Sequence, residues 1–164
     1  MPQAMRFAER CGFAAAVVVA LSLAGCGNGT QASSSVRQVV STTSFGMCVG
    51  YCSTRLEISE GQAVLERTAH GGRGGQDLPP QRYTAVLSEG EWQEIARLAQ
   101  ETKLDGLPAM IGCPDCADGG AESLTIVGSG GTKTVSFNHG TAIKEAQPLL
   151  DRVRALRTRL IPKS

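Results

Sequence analysis

Two close cysteine pairs, Cys48-Val-Gly-Tyr-Cys52 and Cys113-Pro-Asp-Cys116, divide the chain into two stretches that follow the same order. Each pair leads into a hairpin, and each hairpin is followed by a helix. After the first pair Leu56 and Ile58 alternate, Glu60-Gly61 turns the chain, and Ala63 to Leu65 forms the return strand. A Gly/Pro-rich loop spans Gly71 to Pro80, and Tyr83, Ala85 and Leu87 then alternate as a third strand. Ser88 with Glu91 makes a capping box, and Trp92, Ile95, Ala96 and Ala99 share one face of the helix it opens, which should stop near Leu104 to Pro108. After the second pair Leu124 and Ile126 alternate, Gly128-Ser-Gly-Gly131 turns, and Val135 and Phe137 alternate. Thr141, or Gln147 with Pro148, opens a second helix with Leu149, Val153, Leu156 and Leu160 as its buried stripe. Arg152, Arg154, Arg157 and Arg159 are expected largely around its outside. Outside the cysteines and turns the halves match poorly, so they do not declare a true repeat. The expected fold class is α+β: a small antiparallel sheet of hairpins with two helices packed on one face.

The N-terminus has the parts of a secretory signal. Arg6 and Arg10 form a basic start, offset by Glu9, and Cys11 to Gly25 is an unbroken run of apolar and small residues. It is shorter than the roughly 20 apolar residues that a bilayer span needs. A start at Met5 leaves this reading unchanged. The run ends Leu23-Ala24-Gly25-Cys26, which resembles the lipobox of bacterial lipoproteins. The resemblance implies cleavage before Cys26, diacylglycerol on its sulfur and an N-acyl chain such as palmitate. Several chains anchor stably where one is marginal, because each buried methylene adds about 0.8 kcal/mol. The mature protein would then sit on a membrane through its lipid without crossing it. Gly27 stands where an aspartate would imply inner-membrane retention, so the resemblance points to a cell-envelope protein on the outer membrane, facing the periplasm.

Three segments follow: a signal peptide at 1–25, a lipidated cysteine with a flexible tether at 26–44, and a single domain at 45–162. The tether reading rests on Gly-Asn-Gly-Thr-Gln-Ala-Ser-Ser-Ser and on Ser41-Thr42-Thr43-Ser44, which offer little to bury. Val39 and Val40 are an alternative strand start that would move the boundary back to near Arg37. The whole chain has sixteen basic and fifteen acidic residues, and the signal takes two and one of these, leaving fourteen of each. A balanced surface argues against nucleic acid as a partner, since that needs concentrated positive charge. Trp92 is the only tryptophan, so branched aliphatics must fill most of the core.

With Cys11 removed and Cys26 lipidated, Cys48, Cys52, Cys113 and Cys116 remain, an even count in an oxidising compartment, which fits disulfides. Three pairings are open. Loop-closure entropy favours joining Cys48 or Cys52 to Cys113 or Cys116 across about sixty residues, although geometry can force the local pairs. Catalysis is the first rival, because Cys113-Pro-Asp-Cys116 is superficially like the motif of thioredoxin-like oxidoreductases. That motif opens a helix, whereas here it runs into Ala-Asp-Gly-Gly and a strand. A soft metal is the second rival. Met47 and Met110 lie beside the cysteines, and thiolates with thioethers suit Cu(I), while Cys-x2-Cys also resembles one zinc-ribbon knuckle with an off-pattern partner. Otherwise Met47 and Met110 are gap-filling core residues.

Other groups carry less. His70 and His139 have no recognisable hydrolase partners, and Gly71-Gly-Arg-Gly-Gly75 lacks the lysine and helix of a phosphate loop. Asp115, Asp118 and Glu122 do not match a calcium-loop spacing and read as solvating a turn. Four arginines on the last helix are a common solvated face, with anionic lipid headgroups as the alternative contact. Cys48-x-Gly-x-Cys52 followed by an alternating strand also resembles the entry motif of an uncharacterised family of small bacterial envelope domains. That resemblance names no activity. The expected function is a non-enzymatic, disulfide-braced envelope lipoprotein that binds a protein or cell-wall partner through its sheet or glycine loop, without a cofactor. The alternatives are a copper- or zinc-binding lipoprotein and a thiol oxidoreductase.

Overall fold

The structure, a computed structural model, describes residues 35–69 and 78–162. Cys26, the signal, the first part of the tether, His70 and the Gly71–Gly75 loop lie outside the described residues. Seven strands form one mostly antiparallel sheet: β1 (Val36–Ser44), β2 (Tyr51–Ser59), β3 (Gln62–Ala69), β4 (Gln81–Val86), β5 (Met110–Ile111), β6 (Ala121–Gly128) and β7 (Gly131–Asn138). Their spatial order is β4-β3-β2-β1-β6-β7-β5, with β5 and β7 paired in parallel. Two helices complete the mixed α+β domain, α1 (Glu89–Glu101) and α2 (Gln147–Leu160). No described helix is long and apolar enough to cross a membrane.

The tether does not extend to residue 44. Residues 36–44 are β1, the strand on which both hairpins are built, paired with β2 on one side and β6 on the other. From Gln38 to Ser44 its backbone is paired on both sides, so a segment poor in apolar side chains is held by two ladders of hydrogen bonds. Alternation then sends Val39 to one face, opposite Ile58 and Ile126, with Ser41 beside it opposite Leu56 and Leu124.

Those positions open the core. Val39, Leu56, Ile58, Ala63, Leu65, Leu124, Val135 and Phe137 form one buried cluster with Trp92, Ile95 and Ala99 of α1 and with Leu149, Leu150, Val153 and Leu156 of α2. Each large aliphatic side chain so buried contributes about 1.5–3 kcal/mol. Helix α1 starts as the capping box requires: the Ser88 hydroxyl accepts from the Glu91 N–H at 3.3 Å, and the Glu91 carboxylate accepts from the Ser88 N–H at 3.1 Å. Helix α2 has no side-chain cap and opens with Pro148 in its first turn.

Met47 and Met110 do not fill the core. They are 77 % and 63 % exposed, because Met47 projects from the β1–β2 loop and Met110 stands on the edge strand β5.

Candidate functional site

The sheet topology gathers the cysteines at one end. Strands β2 and β6 both run antiparallel to β1; β2 begins inside the first cysteine pair, with Cys52 as its second residue, and β6 begins five residues after Cys116, so both cysteine pairs meet at the C-terminal end of β1. Ser44 accordingly faces Ser53 on one side and Ala121 on the other.

Both disulfides are local. Cys48 bonds Cys52 and Cys113 bonds Cys116, with Cα atoms 5.6 and 5.4 Å apart, inside the range a disulfide spans. The longer closure favoured by loop entropy is not the one formed: each cysteine bonds its near neighbour in sequence. The two loops touch through an acidic side chain: the Gly46 N–H donates to Asp115 Oδ1 at 3.2 Å. Glycine suits that approach, since a Cβ at position 46 would meet Asp115 Oδ2 at 3.0 Å.

Behind this contact the Phe45 ring packs edge-on against His139 with centroids 4.8 Å apart. Gly120 lies under Phe45 at a φ of +78°, and its carbonyl accepts from the N–H groups of Asp115 and His139. A side chain at 120 would collide with the Phe45 ring. Asn138 Oδ1 accepts from the Cys113 N–H at 3.0 Å and secures the other root of the second loop. On the far side, the Arg67 guanidinium lies 4.8 Å from the centre of the Tyr51 ring, and the Tyr51 hydroxyl donates to the Pro79 carbonyl. The surface of this end therefore combines Met47, Val49, Met110, Asp115, two disulfides and His139.

A metal reading needs thiolates, and all four sulfurs are bonded to each other. Among the described residues no three His, Cys, Asp or Glu side chains converge to hold an ion. The donor set proposed for copper or zinc, Met47, Cys48, Cys52, Met110, Cys113 and Cys116, is thus not assembled as ligands. Catalysis through Cys113-Pro-Asp-Cys116 meets a similar obstacle. Cys116–Asp118 is one turn of 3-10 helix, and among the described residues no α-helix begins at Cys113 to stabilise a thiolate.

The least legible polar group is Glu122. Its neighbours in sequence made it a turn residue, but the structure buries its side chain completely on the core side of β6. Arg154 Nη2 donates to it at 2.7 Å, Arg157 Nη1 at 3.5 Å and the Gly140 N–H at 3.4 Å. Arg157 also donates to Ser41, and Arg154 to the Thr141 carbonyl. Arg154 and Arg157 are therefore not members of an outer face: they turn inward to a carboxylate that cannot be left alone in the core. Burial alone pushes the Glu122 carboxyl up, but the Arg154 hydrogen bonds and the two guanidinium charges outweigh it and hold the pKa below the usual carboxylate value. Burial pushes the Arg157 guanidinium down, and the Glu122 charge opposes that. The cluster pins α2 to β1 and β6.

Comparison with family models and with curated proteins finds no match for this chain.

Proposed function

We propose that this is a lipid-anchored lipoprotein of the bacterial cell envelope, held to the membrane through Cys26, more specifically on the periplasmic face of an outer membrane. The domain acts as a disulfide-braced binding or structural module for an envelope protein or cell-wall partner. The observation that carries the reading is the pairing of all four domain cysteines into disulfides, which persist in oxidising compartments outside the cytosol. It agrees with the signal-like N-terminus and its lipobox. The core cluster joins both helices to the same strand face, Val39, Leu56, Leu65 and Leu124. We read this as two helices layered on one side, leaving Thr42, Glu66, Thr84 and Thr125 on the open side. The cysteine loops close β1 at the end opposite Val36. Eight residue steps at about 3.3 Å separate those ends, so the loops stand about 26 Å from the point where the tether enters.

Labelled-palmitate uptake and detergent partitioning test the anchor. Wild-type protein should incorporate label and partition into detergent, and Cys26→Ser should abolish labelling and leave an unprocessed or mislocalised precursor. Undiminished labelling of Cys26→Ser would overturn the reading.

A further inference from the structure

The two disulfides share a topology but not a setting. Cys52 lies on β2 and is 2 % exposed, so one sulfur of the first bridge is sheltered by the sheet. Cys113 and Cys116 are both exposed, in the nine-residue stretch 112–120 between strands β5 and β6. The backbone of that stretch is unusual. Asp115, Ala117 and Asp118, at φ of 63°, 55° and 60°, are the non-glycine residues with positive φ among the described residues, and Gly112 and Gly120 are positive as well. Side-chain-bearing residues resist this region, so a run of them persists only where the surroundings impose it. The contacts that impose it are the Cys113–Cys116 bridge, the Asn138 hold on Cys113, the Cys116 N–H bond to the Cys113 carbonyl, the Gly119 N–H bond to the Cys116 carbonyl, the Gly120 carbonyl on Asp115, and the Asp115 hold on Gly46.

We propose that the Cys113–Cys116 bridge is a thiol–disulfide exchange site that accepts electrons from a dithiol, and that its opening releases the hold of Asp115 on the loop of the first disulfide. A thiolate of the dithiol attacks one exposed sulfur of the bridge. A mixed disulfide forms as the Cys113–Cys116 bond breaks, and the departing sulfur takes up a proton. The second thiol of the dithiol then attacks the mixed disulfide and closes its own ring, and the second cysteine leaves as a thiolate that is protonated in turn. The dithiol is oxidised by two electrons and the bridge is reduced to two thiols. Attack is governed by access to sulfur, which the second bridge offers and the first restricts. Among the described residues no α-helix begins at this pair to activate a thiolate of its own, so the pair is placed to be attacked, not to attack. Once it opens, the left-handed run loses its closure and Asp115 swings away from Gly46. The segment carrying Met47 and Val49, which are 77 % and 83 % exposed, then keeps the Cys48–Cys52 bridge, the Phe45 N–H bond to the Cys52 carbonyl and the Phe45 ring contact with His139.

The test uses the full chain, oxidised and purified in detergent. It is titrated with dithiothreitol, quenched with N-ethylmaleimide and mapped by peptide mass spectrometry. Cys113 and Cys116 should become labelled at a dithiol concentration at least tenfold lower than Cys48 and Cys52. Simultaneous labelling, or earlier labelling of Cys48 and Cys52, would overturn the proposal. Hydrogen exchange on the selectively reduced protein supplies the second readout. The Gly46 amide should exchange at least tenfold faster while amides of β1 and β6 keep their protection. An unchanged Gly46 amide would overturn the release step.

Discussion

The two halves of the domain repeat one order around β1, cysteine loop, hairpin and helix, yet they close their helices onto the sheet by different chemistry. In the first half α1 delivers Trp92, Ile95 and Ala99 to the core, and its carboxylates stay at the surface: Glu91 meets Arg159 at 2.7 Å and Arg152 at 3.6 Å. In the second half α2 adds Arg157 and Arg154 to its apolar stripe, and the sheet answers with the buried Glu122. An apolar seam tolerates small changes one residue at a time. A buried carboxylate between two guanidiniums is stable only while all members are present, since the loss of one leaves charge in a medium that cannot solvate it.

The largest effect should come from that asymmetry. Glu122→Ala strands Arg157 beside Ser41 with no anion, and should cost about 3–5 kcal/mol in chemical denaturation. Glu91→Ala, which removes a partly exposed carboxylate with two arginine partners, should cost much less. Equal losses would mean that the buried cluster is no more important than a surface pair.

Acid should separate the same two carboxylates. Both are held below the usual carboxylate value, Glu122 by Arg154 and Arg157 against its burial, and Glu91, down to about 2, by the Arg159 hydrogen bond first and the Ser88 N–H second. A lowered folded-state pKa favours the folded form above the unfolded value, and that contribution is lost as pH falls through the folded one. Stability should therefore be full at pH 7 and decline once pH drops below about 4.5, the usual value for both groups. Glu122→Gln and Glu91→Gln should each flatten that decline. Adding 1 M salt should weaken the Glu91 share more than the Glu122 share, because screening acts on exposed charge. Denaturation curves at pH 7 and pH 3, with and without salt, check it, and equal salt sensitivity would break the distinction.

What the sequence made legible is what local pattern encodes. Ser88 and Glu91 stand three apart, and the turn at Glu60-Gly61 and the glycines at 128–131 lie between alternating runs, so the capping box and both hairpins were readable. β1 was not, because its core-facing side reads Val39, Ser41, Thr43, with one apolar residue in three; its place is fixed by partners on two strands far along the chain. Glu122 was hidden for the same reason. Its cations follow 32 and 35 residues later, and no window of sequence joins them. The one available signal was the position of Arg154 and Arg157 one turn after Leu150 and Val153, too near the buried stripe to be an indifferent outer face. The local cysteine pairing was likewise beyond loop-entropy reasoning, which weighs the unfolded chain and knows nothing of where β2 and β6 begin.

The smallest contrast lies at the helix starts. Helix α1 begins with two side-chain bonds, Ser88 Oγ accepting from the Glu91 N–H and Glu91 accepting from the Ser88 N–H, whereas α2 begins at Ala146 with no side-chain cap. The first N–H groups of a helix have no partner within it, so the Ser88 hydroxyl meets a need that α2 reduces by placing Pro148, which has no N–H, in its first turn. Ser88→Ala removes one of the two bonds and also loosens Glu91, whose carboxylate contacts the Ser88 hydroxyl at 3.2 Å as well. The cost should be about 1 kcal/mol, in line with loss of a serine cap. Ala146→Ser offers the second helix a hydroxyl but should add nothing, because Ala146 is buried in the core and its backbone, φ −119° and ψ 0°, is not the extended form that a capping serine adopts. Denaturation midpoints of the two variants decide the matter: a loss at 88 with no matching gain at 146 keeps the halves distinct, and a gain at 146 as large as the loss at 88 would show that the two helix starts are interchangeable.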